Sequence, residues 1–190
     1  SGYPQEVADV ILNRCAIKGC HNDLSKEAAG GFSFSSWEKL FLGKKGNAVV
    51  IPYRPDFSTL CFYTNIDPQK GPTLSPSMPL NDTPLNENEY ELVKNWILSG
   101  APNKNGEIKF SGESDRKKIY AVNYFCDVIT VFDSRTLLPM RYIDVGKTSI
   151  QEFPYTIKVS PNSSSWCVSF FSANGLLQKF DAKNDKLSAE

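Results

Sequence analysis

Histidine and methionine are the scarcest functional residues here. The 190-residue chain has one histidine, His21, and two methionines, Met78 and Met140. A single histidine removes most options for a hydrolytic triad, which needs an imidazole base beside its nucleophile. It also leaves no second histidine toward the roughly four protein ligands of a zinc site. Net charge is absent as well, since 21 Lys and Arg balance 21 Asp and Glu. Such a balance gives no reason to expect nucleic acid or a charged membrane face as a partner. No apolar run approaches the ~20 residues that a transmembrane helix needs. No signal peptide opens the chain, so an exported protein is expected to have lost it.

The chemistry concentrates in one stretch, Cys15-Ala16-Ile17-Lys18-Gly19-Cys20-His21. It holds two of the five cysteines and the only histidine. A Cys-x-x-Cys-His run is the attachment signal for a c-type haem. That chemistry needs two neighbouring thiols that add to the two vinyl groups of one porphyrin, with a histidine directly after them to ligate the iron. Here four residues separate the cysteines instead of two, and a longer loop can bulge outward and still meet the demand. Two other readings stay open on these residues: a small Cys15–Cys20 disulfide loop with His21 at the surface, or a metal site. Cys61, Cys126 and Cys167 remain, and an odd count leaves at least one unpaired within the chain. Cys61 reads as a small buried hydrophobe. Cys126 and Cys167 are candidates for pairing in an oxidising compartment.

Ahead of the motif, Pro4 and Glu6 suit a first helical turn, and Val7, Val10 and Ile11 give helical spacing that runs into Cys15. Ser35 or Ser36 is expected to cap a short helix with Trp37, Leu40 and Phe41, ended by Gly43. Lys44 to Asn47 reads as a turn, and Asp56 to Tyr63 as a third helix. Residues 68–84 hold Pro68, Pro72, Pro76, Pro79 and Pro84, which excludes a regular helix or central strand. Met78 sits in this extended loop. A methionine there lacks a regular scaffold to pack on, and it is a candidate second axial ligand trans to His21. Asn86 and Glu89 spell a capping box for a helix carrying Leu92, Val93, Trp96 and Ile97, stopped by Gly100 and Pro102. Glu87, Glu89 and Glu91 read as a solvated, dipole-favoured face rather than as catalytic acids.

Taken together, Cys15, Cys20 and His21, then Met78-Pro79, then the capped helix ending Asn95-Trp96-Ile97-Leu98-Ser99-Gly100-Ala101, resemble a cytochrome c domain. The spelling of the attachment run is similar to a variant of exported Bacteroidetes-type and planctomycete-type cytochrome domains. The resemblance covers residues 3–103 and implies an all-α haem domain. It also implies one haem c, held covalently by Cys15 and Cys20, with His21 and Met78 as axial ligands. Ile17, Tyr53, Leu60 and Ile97 are the expected pocket walls.

Residues 104–115 are polar and read as a linker. From 116 to 190 the period changes to two, with strands expected near Ile119, Val128 to Phe132, and Met140 to Val145. Ile119 to Asp133 can be laid over Cys167 to Asp181 at an offset of about 48 residues. Phe132-Asp133-Ser134 falls on Phe180-Asp181-Ala182. With Pro154 to Asn162 between the copies, this segment resembles blades of a YVTN-type β-propeller, with Asn162 and Ser163 where that family often has Asp-Gly. A closed propeller takes about four to eight blades. An incomplete propeller, belonging to a longer protein, is therefore expected. The expected fold class is an all-α cytochrome c-like domain followed by an antiparallel all-β segment resembling partial propeller blades.

The resemblance implies electron transfer, a carrier rather than a catalyst, with the β segment docking a redox partner protein or a larger membrane or surface assembly. The setting is periplasmic or cell-surface, with room for a lipid anchor upstream. Two alternatives accompany it: a haem-free interaction module stapled by Cys15–Cys20, and an electron-conduit domain of a larger propeller oxidoreductase.

Overall fold

Proline and glycine cut the first hundred residues into short pieces, and the structure follows those cuts. It is a computed structural model and describes residues 1–44, 46–111, 115–172 and 175–190. Lys45 of the expected turn, residues 112–114 of the expected linker, and residues 173 and 174 of the second repeat copy lie outside the described residues. The chain divides into two compact units, Ser1–Gly112 and Glu113–Glu190.

In the first unit, helix α1 spans Gln5–Val10 and continues as a π-helical turn over Ile11–Cys15. Helix α2 is Trp37–Leu40, and the Ser36 side chain accepts from the Lys39 N–H at 3.3 Å. Helix α3 is Thr59–Thr64, preceded by a 3-10 turn at Pro55–Phe57. Helix α4, Glu87–Leu98, has both halves of its capping box. Asn86 Oδ1 accepts from Glu89 N at 3.0 Å, and Glu89 Oε2 accepts from Asn86 N at 2.9 Å. Val7, Ile11, Leu40, Val50, Val93 and Ile97 pack into one core with Trp37 and Trp96.

Loops close this core through buried side chains. Trp37 Nε1 donates to the Ala101 carbonyl at 2.8 Å, and Trp96 Nε1 to the Pro102 carbonyl at 2.9 Å. The Tyr3 hydroxyl donates to the Phe34 carbonyl at 3.0 Å. Gly100, at φ +102°, ends α4 beneath the Tyr53 ring, where an added Cβ would lie 2.8 Å from the ring. Only glycine suits both that backbone and that approach.

The second unit is antiparallel throughout. Strands β1 (Lys118–Asn123), β2 (Val128–Asp133) and β3 (Pro139–Asp144) form one sheet. Strands β4 (Pro154–Val159), β5 (Ser165–Phe170), β6 (Leu177–Asp181) and β7 (Leu187–Ala189) form another. Ile129, Val145, Trp166, Val168 and Phe180 make a shared cluster, with Trp166 stacked on Phe180 at 4.1 Å. Each repeat copy supplies a hairpin, β1–β2 and β5–β6. The copies differ in register. A uniform 48-residue shift of the Lys118–Asp133 pair would set Trp166 opposite Asp181, but Trp166 faces Phe180.

The expected fold class is corrected by this architecture. Among the described residues there is no all-α cytochrome-like domain. Helix α4 is the only described helix longer than six residues, while Val49, Val50 and Ile51 are buried in non-helical backbone stopped by Pro52. The core draws on helices α1 to α4 but also on turns and loops, through Tyr3, Phe34, Val49, Val50 and Leu85. The β segment is a three-stranded and a four-stranded sheet sharing one cluster, and partial propeller blades are not supported.

Candidate functional site

The Cys15–His21 loop takes its shape from the π turn before it. At Ile11 the hydrogen bonding lengthens, so that Ala16 N–H donates to the Ile11 carbonyl at 2.9 Å. Single π turns inside helices recur at functional sites because they re-aim the side chains that follow. This one delivers Cys15 into a buried position. Residues 16–20 then swing out and return. Cys20 N–H donates to Ile17 O at 3.1 Å, Gly19 turns at φ +87°, and His21 N–H donates to Cys15 O at 3.0 Å. That last bond joins the two ends of the loop, so the extra residues between the cysteines bulge outward. Asn22 fastens the bulge, its Nδ2 donating to Ile17 O at 2.7 Å.

His21 is held by its aromatic neighbour. Its ring stacks on Phe34 with centroids 4.4 Å apart and planes 14° from parallel, and Phe34 N–H donates to His21 O at 2.8 Å. Burial lowers the His21 pKa below its ordinary value, opposed by the Phe32 backbone. The ring is therefore held neutral at neutral pH, the form that ligates metals. His21 Nδ1 is buried with no hydrogen-bond partner among the described residues. Burial also pushes the Cys15 thiol up to about 12, with the neighbouring Arg14 charge acting the other way. Cys15 is thus a protonated thiol at neutral pH. Both Cys15 and Cys20 are free thiols in the structure.

Met78 reaches the same place from the proline-rich loop. After α3, Asn65 Nδ2 donates to the Gly71 and Pro72 carbonyls at 2.9 and 3.2 Å. Leu74 N–H then donates to Phe62 O at 2.9 Å, and Met78 N–H to Tyr63 O at 2.7 Å. The loop therefore folds back along α3, and α3 contributes Leu60, Tyr63 and Thr64 to the same wall.

These elements enclose a half-open cleft of about 370 Å³. Cys15, Cys20, His21, Leu60 and Met78 all line it. Ile17, Tyr53 and Ile97 lie elsewhere. Ile17 is on the outer bulge and 38% exposed, Tyr53 covers Gly100, and Ile97 is fully buried in the core. Phe32, Phe34, Tyr63 and Arg14 line the cleft without having been singled out in the sequence. Nothing local in the sequence marks Phe34 as the partner of a histidine thirteen residues earlier.

The donor chemistry fits one group well. Two thiols, an imidazole and a thioether share a mostly apolar cleft, within the ~300–1,000 Å³ usual for small-molecule sites. Among the described residues no cluster of three or more His, Cys, Asp or Glu side chains is arranged to hold a bare metal ion. No helix among the described residues is long and apolar enough to cross a membrane. No protein-family model matches the chain, and no curated protein is similar to it.

Proposed function

We propose that this chain holds one haem c in the cleft and transfers electrons. The observation that carries the reading is the meeting of Cys15, Cys20 and His21 with Met78, 57 residues further along, in the wall of one cleft. Cys15 and Cys20 would hold the group covalently, each S–H adding across a vinyl C=C with sulfur on one carbon and hydrogen on the other, which would consume no oxidant. His21 would ligate as the neutral imidazole that its burial favours, with Phe34 stacked on its ring. Met78 would supply a second ligand through its thioether sulfur.

Bound haem supplies a one-electron iron couple whose potential follows its axial ligands, burial and hydrogen bonding. With His21 and Met78 both serving as ligands, the role would be that of a carrier rather than a catalyst. The partner is then a redox protein or a larger membrane or surface assembly, and the setting is periplasmic or cell-surface.

The test is the visible spectrum, oxidised and reduced, of chain exported by a host competent in haem c maturation, repeated after acid–acetone extraction. A low-spin c-type spectrum that survives extraction is expected, with Met78→Ala losing the methionine–iron charge-transfer band. A colourless chain with a reducible Cys15–Cys20 bond would overturn the proposal in favour of a haem-free interaction module.

A further inference from the structure

Arg14 immediately precedes the first cysteine, and its side chain lines the cleft. Its guanidinium reaches across 75 residues to Glu89, with Nη1 3.3 Å from Oε1 and 3.5 Å from Oε2. Nη2 donates to the Thr83 carbonyl at 2.5 Å and to the Pro84 carbonyl at 3.4 Å. Glu89 is itself fixed by the capping box of α4. Arg14 and Glu89 are only 23% and 21% exposed at their side chains, so solvent competes weakly for this pairing.

The position of those carbonyls matters more than their number. Residues 79–84 form the outgoing limb of the loop that carries Met78, and residues 80–83 are exposed. Among the described residues, the hydrogen bonds that tie 79–84 to the rest of the unit come from Arg14. The incoming limb is anchored differently, by Asn65 and by backbone bonds to α3. Met78 therefore hangs between an anchor on α3 and an anchor on Arg14.

We propose that Arg14 is a positioning residue that clamps residues 79–84 and so keeps Met78 in the wall of the cleft. The role of Met78 as an iron ligand rests on the haem reading above, whereas the clamp itself does not. A planar guanidinium suits the task, because one fork serves a carboxylate and two carbonyls in fixed directions. A lysine can serve one of them at a time.

The composition of the chain makes the test direct. With one histidine and two methionines, the His21 ring and the Met78 and Met140 ε-methyl groups each give an assignable NMR signal. In Arg14→Gln the Met78 methyl is expected to lose more than half of its displacement from the free-methionine position. The His21 ring and Met140, which is buried in the second unit, hold theirs. Arg14→Lys recovers part of the loss. Glu89→Gln keeps the capping box, because glutamine serves there too, and shows a smaller shift in the same direction.

An unmoved Met78 methyl in Arg14→Gln overturns the clamp, as does a shift shared equally by the His21 ring, which would mark a general loss of structure. Where Arg14→Gln does not fold, an unmoved Met78 in Glu89→Gln overturns it. In haem-bearing chain the same variant is expected to lose the methionine–iron band, or to lose it at a lower pH, while the haem stays covalently attached. If the wild-type chain is colourless, the haem reading fails and the Met78 and His21 signals alone decide the clamp.

Discussion

The two units solve the same problem by different means. Every buried backbone N–H and C=O needs a partner. In the second unit the strand ladders provide most of them, and side chains are free to build ion pairs in the interior. Asp185, whose side chain is 1% exposed, takes Lys118 Nζ at 2.8 Å and Arg141 Nη1 at 2.5 Å. It also accepts from the Tyr120 hydroxyl at 3.0 Å and from Trp166 Nε1 at 3.1 Å. In the first unit the backbone is too irregular for ladders, and long-range side-chain donors do the joining: Tyr3, Trp37 and Arg14 each end on a distant carbonyl. The cleft lies among those loops. A concave site with convergent donors is easier to make where chain segments are brought together one bond at a time than on the face of a closed ladder.

The largest expected effect tests the second unit. Asp185→Ala leaves the Tyr120 and Trp166 donors without their acceptor and removes the carboxylate partner of Lys118, which keeps the Ala182 carbonyl, and of Arg141. Breaking a buried pair from one side costs about 3–5 kcal/mol. The Met140 methyl signal is expected to report the loss in chemical denaturation while the His21 ring transition stays where it was. Equal movement of both signals would break the contrast between the units.

Ile97→Ala sharpens the contrast from the other side. Ile97 is fully buried in the core of the first unit and does not line the cleft. A cavity of this kind costs about 2–5 kcal/mol. Denaturation followed through His21 is expected to shift by that amount, while the visible spectrum of haem-bearing chain is unchanged. A shifted spectrum would return Ile97 to the pocket wall.

The smallest effect concerns pH. In the folded haem-free chain burial holds the His21 pKa below its unfolded value of about 6.5. The unfolded chain then binds the proton more readily, so stability rises with pH through this window. The contribution is complete above about pH 6.5 and is lost as pH falls through the lowered folded value. Asp133 behaves alike but further into acid. Burial works against its charge, yet the Arg135 N–H, the Thr136 hydroxyl and Arg116 hold its pKa below the usual carboxylate value. Acid is therefore expected to weaken the first unit before it reaches Asp133 in the second, and His21→Gln should flatten stability between pH 7 and pH 5. A slope that persists in that variant would assign the effect to another group.

Much of the local structure was legible along the chain. The Asn86–Glu89 capping box, the Ser36 cap and the period-two strands depend on neighbours within a few residues, and they formed where those neighbours stood. The fold class was not legible. The resemblance of the motifs implied an all-α domain, but Pro52 and Pro55 interrupt the chain around Val49 and Val50, which are buried in the core without being helical. The strand repeat suggested blades, yet a one-residue change of pairing between copies alters which residues face each other, and no spacing rule announces it. Leu60 reached the cleft while Ile17, Tyr53 and Ile97 did not, because hydrophobicity marks burial without saying which surface is covered.

By itself the sequence determined the donor set: one histidine beside two cysteines, and one methionine in a loop too rich in proline to be regular. Those are matters of composition and order, which no folding can change. The tertiary structure alone decided that the Cys15–His21 loop closes on itself. It also decided that the Met78 loop folds back on α3, that Phe34 stacks on His21, and that Arg14 ties the far limb of that loop to α4. Each of these joins residues that only a folded chain brings together, and loop closure over such distances has an entropic cost that local propensity cannot offset.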